Sequence, residues 1–109
     1  MIQVTIIRDV EKQVKEITCK GHAGYAASGQ DIICAAVSAL TLNMVNSVEA
    51  FTGDSFEGEM DEETGGFSFR FTGSVSRESR LLIDSLVLGL TNIQESYGKK
   101  YIHIRYKEV

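Results

Sequence analysis

Apolar residues in this chain repeat with two different periods, and the order in which the periods alternate constrains the fold. Alternation at every second position, typical of half-buried strands, covers residues 2–6, 17–19, 56–60, 67–71 and 101–107. Helical spacing of three or four covers residues 32–51 and 77–97. The predicted order is therefore β-β-α-β-β-α-β. Each strand has one apolar face, so we expect an α+β two-layer sandwich, with a mainly antiparallel sheet and both helices on one face.

The length of 109 residues, 43% of them hydrophobic, suits a single domain over residues 1–109. The sequence has no run of 18 apolar residues that would predict a membrane-spanning helix. Its first residues do not show the signal-peptide pattern of a basic start, an apolar run and a small-residue cleavage site. These observations predict a cytoplasmic protein without a membrane partner. Eleven Lys and Arg against 15 Asp and Glu give a net charge of −4, which disfavours nucleic-acid binding.

Both predicted helices have clear signals for where they begin. Asp31 precedes the first helix and Ser76 the second, and both residue types accept free amide hydrogens of a first turn. Gly98 predicts the end of the second helix. The positions predicted to face the core are Ile33, Val37, Leu40, Met44, Val48 and Phe51 on the first helix, Leu82, Leu86, Leu90, Ile93 and Tyr97 on the second, and Phe56, Met60, Ile102, Ile104 and Tyr106 on strands.

The segment between the second strand and the first helix, residues 21–31, is unusually long and rich in small residues. Gly21, Gly24 and Gly29 lie in it, and we expect a mobile loop that lacks apolar groups to anchor it. His22 stands near its start, and Cys34 follows its end within the first helical turn. No phosphate-binding or dinucleotide-binding glycine pattern is present, so we expect no cofactor.

Cys34 is a candidate nucleophile. It lies roughly 80° from the apolar stripe of its helix, on a flank that it shares with Ser38 and Thr41. At the third helical position, the helix dipole and amides are expected to lower its pKa, and nearby amides are expected to stabilise an oxyanion. His22 is a candidate base that would take the thiol proton. The alternative is that Cys34 is an inert helix residue, because cysteine is often buried.

Other readings of the cysteines and histidines remain open. Cys19 shares a strand face with Ile17 and is expected to be a core thiol. The spacing of Cys19 and His22 is typical of zinc ligands, and Cys34 would be a third. The fourth would have to be His103, which alternation puts on the opposite sheet face, so we expect no metal.

The motifs Gly21-His22-Ala23 and Gly29-x-Asp31-Ile32-Ile33-Cys34-Ala35-Ala36-x-Ser38 resemble those of the bacterial ribosomal-processing cysteine protease family. The similarity extends over the whole chain in length and element order. Where members often carry an acidic or aromatic residue before the second motif, this chain has the residues 26–30, Ala-Ala-Ser-Gly-Gln. This departure bears on loop dynamics and substrate fit rather than on the chemistry.

The resemblance implies a site-specific protease that removes a short N-terminal extension from a protein of the large ribosomal subunit. It assigns Cys34 as the nucleophile and His22 as the general base, and Asp31 and Ser38 match further motif positions. It also implies a homodimer, and an apolar groove beside the loop, because the extension ends in apolar and aromatic residues. The alternative is a non-catalytic ribosome-associated factor whose acidic surface holds a basic ribosomal protein.

Overall fold

The computed structural model describes residues 1–26, 31–61 and 65–109. In chain order the strands and helices are β1 (Ile2–Arg8), β2 (Val14–Lys20), α1 (Ile32–Phe51), β3 (Phe56–Asp61), β4 (Gly66–Phe71), α2 (Arg77–Tyr97) and β5 (Ile102–Glu108). The predicted order of elements is confirmed, and both helices have the predicted bounds. The last strand begins and ends one residue later than its alternation indicated.

Within the described ranges, the strands form one five-stranded sheet in the order β3-β4-β2-β1-β5. β1 and β2 form the first predicted hairpin, and β3 and β4 form the second. β2 pairs with β4 in antiparallel fashion, whereas β1 and β5 are parallel, with Ile2 opposite Ile102. A parallel pair requires a crossover, which α2 supplies by returning the chain to the edge beside β1.

The core lies between one face of this sheet and the two helices. In β1, Val4 is buried opposite Cys19 of β2, and Ile6 is buried opposite Ile17. Burying an aliphatic side chain of this size contributes about 1.5–3 kcal/mol to folding. The buried apolar residues are Ile2, Val4, Ile6, Val14, Ile17, Cys19, Ala23, Ile33, Val37, Met44, Val48, Phe67, Phe69, Phe71, Ile83, Leu86, Leu90 and Ile102.

Several residues predicted to face the core are instead exposed. Phe51 is 75% exposed, and Met60, Tyr97 and Tyr106 are also exposed. Phe51 and Tyr97 are the last residues of their helices, Tyr106 lies near the end of the edge strand β5, and Met60 lies on the other edge strand, β3. Alternation predicts which face a residue is on, but burial also requires a neighbouring element that extends that far.

Among the described residues, two polar side chains are buried, including Thr41, which the helical spacing places on the polar flank beside Cys34. Thr41 is 1% exposed, and its hydroxyl donates to the main-chain oxygen of Ser38 at 3.1 Å. The hydroxyl of Ser79 donates to that of Thr52 at 3.3 Å. Each hydroxyl thus has a partner, which removes most of the cost of burying it.

Helix α1 is long and apolar enough to cross a membrane by length and composition alone, with a hydropathy of 1.5. Its buried residues include Ile33, Val37, Met44 and Val48, which belong to the same core as the sheet and α2. One face of the helix therefore packs against the core of this fold, while most of its residues are not buried.

The turn that leaves β2 depends on two glycines with positive φ. Gly21 has a φ of +89°, and a Cβ built on it would lie 2.6 Å from the main-chain oxygen of Met1. Gly24 has a φ of +71°, and a Cβ there would meet nothing within 4 Å. Only the first position is therefore restricted both by its backbone conformation and by a neighbouring main-chain atom.

We predict that Gly21→Ala destabilises the protein more than Gly24→Ala. The left-handed backbone should cost about 1–2 kcal/mol at either position, and the contact with Met1 should bring the cost at Gly21 to about 2–4 kcal/mol. Denaturant unfolding of the two variants and the wild type measures the difference. Equal losses of unfolding free energy would contradict the steric role assigned to Gly21.

Candidate active site

Cys34 lies in the first turn of α1, beside the buried stripe rather than on it. It is half-buried and contacts the edge of the core, while Ile33 and Val37 are fully covered. Its Sγ accepts a hydrogen bond from the main-chain N–H of Ala23 at 3.3 Å. Cys34 therefore lies on the predicted flank and is not fully buried. On the same flank, Ser38 is exposed, but Thr41 is buried.

Asp31 is the N-cap of α1, as predicted, and it also holds the preceding segment. Its Oδ1 accepts hydrogen bonds from the amides of Ile33 and Cys34, both at 3.0 Å. Its Oδ2 accepts the amide of Tyr25 at 3.0 Å. Partial burial of Asp31 opposes ionisation, but hydrogen bonds from Cys34, Tyr25 and Ile33 outweigh it and lower the pKa of the carboxyl below its usual 3.8.

The pKa of Cys34 is raised above its ordinary value of 9.0, so the expected lowering is wrong. Burial of the thiol is the main cause; the Ala23 N–H acts in the opposite direction, and the charge of Asp31 raises the pKa further. The helix dipole favours the thiolate, but the negative charge of the cap residue acts in the opposite direction. The amides of the first turn would stabilise a thiolate, but those of Ile33 and Cys34 donate to the Asp31 carboxylate instead.

His22 follows β2 and is exposed on the same side of the molecule as Cys34. Gly65, at the turn before β4, approaches the imidazole so closely that a Cβ there would lie 3.1 Å from Cε1 of His22. Among the described residues, no hydrogen bond joins His22 to Cys34 or to Asp31. The cap role of Asp31 is therefore observed, whereas an orienting role toward His22 is not.

Both predicted residues line one cavity of about 340 Å³ between the sheet and the start of α1. Ser38 and Thr41 line it from α1, and Asp61 and Gly65 from the second hairpin. Its apolar lining consists of Ile2, Cys19, Val37, Leu42, Met60 and Phe67. A second cavity, of about 410 Å³, lies over β2, β3 and β4 and includes neither Cys34 nor His22. The first cavity combines a thiol, an imidazole and an apolar wall.

Tyr25 anchors the described part of the segment that carries His22. Its ring makes edge-on contacts with Tyr97 at the end of α2, 5.7 Å between centroids, and with Tyr101 before β5, 5.2 Å. Such contacts add to the burial energy of the rings. The expectation that this loop lacks anchoring groups is therefore wrong for residues 21–26. Ala27, Ser28, Gly29 and Gln30, part of the predicted mobile loop, lie outside the described residues.

The other cysteine is a core residue, as expected. Cys19 is 2% exposed, and burial raises its pKa to about 12. His103 pairs with Gln3, whereas Cys19 pairs with the next residue of β1, Val4. Because neighbouring positions of a strand point to opposite faces, His103 lies on the sheet face opposite to Cys19. In the described part of the chain, no group of three or more His, Cys, Asp or Glu residues is arranged to hold a metal ion.

Comparison with known proteins identifies the family. The family model for cysteine protease Prp matches residues 1–103. The chain belongs to the Prp cysteine protease family. The ribosomal processing cysteine protease Prp of Bacillus subtilis is 38% identical over 103 residues, covering 89% of this chain and 90% of that protein. Family membership makes the chain a cysteine protease and disfavours the non-catalytic binding factor.

Solved Prp structures share the whole fold. The S. aureus Prp structure with a covalently linked product peptide superposes on this chain with a TM-score of 0.92 and 30% sequence identity. The match covers 98% of this chain and 100% of the S. aureus chain. The S. aureus structure with a substrate peptide has a TM-score of 0.86 and 29% identity, with the same coverage. The two-layer fold predicted from alternation is thus that of Prp proteases.

Sequence reasoning missed the residues that come to the cavity from far along the chain. Met60, Asp61 and Gly65 lie in the second hairpin, and no local pattern connects them with Cys34. Ala23 was overlooked because it acts through its main-chain N–H, which no side-chain motif shows. The three tyrosines near the loop were visible in the sequence, but their pairing depends on where α2 ends.

We predict that iodoacetamide alkylates Cys34 faster than Cys19 in the folded protein, by roughly 10²-fold or more at neutral pH. Cys34 is accessible, whereas Cys19 is buried with a pKa of about 12. Peptide mass mapping after timed alkylation measures the two rates. Equal rates in the folded protein would contradict the assigned burial, and equal rates in denaturant are the control.

We predict that Asp31→Asn lowers the pKa of Cys34, because it removes the negative charge closest to the thiol but keeps an oxygen to cap α1. The pH dependence of Cys34 alkylation should move to lower pH. Asp54→Asn is the matched control, since Asp54 accepts hydrogen bonds from the amide and hydroxyl of Ser76 at the start of α2. An unchanged or higher Cys34 pKa in Asp31→Asn would refute the electrostatic account.

Proposed function

We propose that this protein is a site-specific cysteine endopeptidase that removes the N-terminal extension of a large-ribosomal-subunit protein. The observation that carries the proposal is the shared cavity, which Cys34 and His22 line together with an apolar wall. Membership of the Prp family supports it, because the Bacillus subtilis relative is a ribosomal processing protease and the S. aureus relative has been solved with substrate and product peptides.

Cys34 is the nucleophile and His22 the general base in this proposal. Because the pKa of Cys34 is raised, the thiol is protonated in the resting protein at neutral pH. His22 therefore takes the proton as Sγ attacks the scissile carbonyl, rather than meeting a preformed thiolate. The tetrahedral intermediate collapses, the amine leaves with the proton from His22, and water then hydrolyses the thioester with His22 again as base.

The apolar lining of the cavity suits a substrate that has an apolar or aromatic side chain beside the cleaved bond. Val37 and Phe67 come from opposite layers of the fold, and Leu42 and Met60 lie at more exposed positions. An apolar side chain held between these walls would be removed from water, which contributes about 25 cal/mol per Å² of buried apolar surface. Such a pocket selects the substrate by shape and burial rather than by charge.

Asp31 and Ser38 support the chemistry without exchanging protons in it. Asp31 joins the first turn of α1 to the segment with His22 and Ala23, so that the thiol and its neighbours keep one geometry. Ser38 lies one turn after Cys34, is exposed and lines the cavity, which suits a hydrogen bond to the substrate main chain. Gly21 and Gly24 shape the segment that contacts substrate; Gly29 lies outside the described residues.

We further propose that the protein is a cytoplasmic homodimer that needs no cofactor and binds no nucleic acid or membrane. A substrate made on ribosomes supports the cytoplasmic location. Exposed apolar side chains on both helices support a second copy as partner. These include Ile32, Leu42 and Phe51 on α1 and Leu81 and Leu88 on α2.

We predict that the wild type and Cys19→Ala cut the N-extended ribosomal protein once, whereas Cys34→Ala gives no detectable product. His22→Ala should lower kcat by about 10²–10⁴-fold, since it removes the general base. Mass spectrometry of the substrate after incubation identifies the cut. Circular dichroism and the thermal midpoint of each variant show whether it is folded, and Cys34→Ala should match the wild type because the residue lies beside the buried stripe.

Two results would contradict this function. Cleavage that survives in Cys34→Ala would show that another group is the nucleophile. A substrate left intact by the wild type but bound to it would favour the ribosome-associated binding factor, especially if Cys34 also alkylates slowly. Full activity of His22→Ala would remove His22 as the base while leaving Cys34 in place.

A further inference from the structure

Attack of Cys34 on a carbonyl produces a negatively charged oxygen, and this oxygen needs hydrogen-bond donors beside the sulfur. Donors already fixed in place before the reaction are the most effective, because they require no reorganisation as the charge develops. The amides at the start of α1 are the donors that the sequence suggests. The inference below rests on the proposed function, because it assigns a donor within the same active site.

The first-turn amides nearest to Cys34 already have partners in the free protein. The amides of Ile33 and Cys34 both donate to Oδ1 of Asp31 at 3.0 Å, and the amide of Ala35 donates to the main-chain oxygen of Asp31 at 3.1 Å. The carboxylate is a charged acceptor, and hydrogen bonds to charged groups are stronger than neutral ones. To bind an oxyanion, the amides of Ile33 and Cys34 would have to break their hydrogen bonds to the Asp31 carboxylate, which is a stronger acceptor than water.

The N–H of Ala23 is different, because its partner is the reacting sulfur itself. The distance from this nitrogen to Sγ of Cys34 is 3.3 Å. A thiol sulfur is a weak acceptor, so the bond is easily exchanged. The oxygen of a tetrahedral intermediate is separated from the sulfur by only the carbonyl carbon. A donor that already reaches the sulfur therefore lies within reach of that oxygen.

The main chain at Ala23 is also held firmly in place. Ala23 is 3% exposed, and its methyl group belongs to the core cluster. Gly21, two residues earlier, is fixed by its positive φ and its closeness to Met1. Two residues later, the amide of Tyr25 is bound to Asp31. The N–H is thus fixed on both sides, which is the preorganisation that oxyanion stabilisation requires.

We propose that the main-chain N–H of Ala23 is the oxyanion donor of this active site. In the resting protein it donates to Sγ. As sulfur forms its bond to the carbonyl carbon, the π electron pair of the carbonyl moves to oxygen, and His22 receives the thiol proton. The hydrogen bond then transfers from sulfur to the carbonyl oxygen, which now carries the negative charge. The bond returns to sulfur when the carbonyl re-forms and the amine leaves.

The test replaces Ala23 with L-lactic acid, which exchanges this N–H for an ester oxygen and keeps the methyl group. Residues 1–33 can be made by synthesis and ligated to a chain that begins at Cys34. The matched control replaces Val10 with L-2-hydroxyisovaleric acid, because Val10 lies in the exposed turn between β1 and β2, does not line the cavity, and its amide donates to no other described residue. Three quantities are measured: cleavage kinetics, affinity for a peptide aldehyde that forms a hemithioacetal with Cys34, and alkylation by iodoacetamide at a pH where the thiol is ionised.

We expect the Ala23 ester to lower kcat and aldehyde affinity by about 10²–10³-fold, with KM nearly unchanged, and the Val10 ester to leave all three near wild type. Alkylation at high pH should be unchanged, because displacement of iodide creates no oxyanion. An Ala23 ester that retains wild-type kcat and aldehyde affinity overturns the proposal. A wild type that neither cleaves the substrate nor binds the aldehyde overturns the proposed function itself, which separates the two failures.

A second measurement uses the unmodified chain and so does not depend on folding of the ester. In the ¹⁵N-labelled wild type, binding of the aldehyde should move the amide proton of Ala23 downfield, as expected for a shorter bond to a charged oxygen. The amides of Ile33 and Cys34 should keep their bonds to Asp31 and move less. Large shifts at Ile33 and Cys34 with none at Ala23 would assign the oxyanion site to the helix instead.

Discussion

The carboxylate of Asp31 is the junction on which the arrangement of this active site depends. One of its oxygens holds two amides of the first turn of α1, and the other holds the amide of Tyr25. These donors come from the two chain segments that carry Cys34 and His22. A neutral cap would satisfy the helix equally well in geometry, but a carboxylate binds both segments with charge-assisted hydrogen bonds. The same residue thus begins the helix and sets the distance between thiol and loop.

That junction has an electrostatic cost, because it disfavours ionisation of the Cys34 thiol. A negative charge beside a thiol opposes its ionisation, and burial acts in the same direction, so the pKa of Cys34 is raised. The site therefore does not store a thiolate. The N–H of Ala23 is the neighbouring group that acts in the opposite direction. In the proposed mechanism, the thiol is activated only when His22 and a substrate carbonyl are both in place, which keeps its reactivity toward other molecules low.

Local patterns in the sequence predicted the elements of this fold, because alternation and helical spacing are set by side chains within one element. The caps at Asp31 and Ser76 were also predictable, since a cap acts on amides two or three residues away. The parallel pairing of β1 with β5 was not, because it depends on the path of α2. Likewise, the close approach of Gly65 to His22 was not predictable, because only the pairing of β2 with β4 brings these two residues together.

The wrong expectations share a physical cause, which is that a local pattern does not include the surroundings of a residue. The helix position of Cys34 suggested a lowered pKa, but the charge of its own cap and its burial decide the sign. The small residues before α1 suggested an unanchored loop, but Tyr25 packs against Tyr97 and Tyr101. Phe51 continued the apolar stripe beyond the point where the sheet could cover it.

The protonated state of Cys34 has a consequence for the chemical durability of the protein. Peroxide attacks the thiolate of cysteine, and the first product, a sulfenic acid, leads to irreversible oxidation if it is not rescued. Because a raised pKa keeps the thiolate fraction small, the resting site is a poor target for such oxidants. Cys19, buried with a pKa of about 12, is protected as well. The burial and the carboxylate that raise the pKa of Cys34 therefore also protect its sulfur from oxidation.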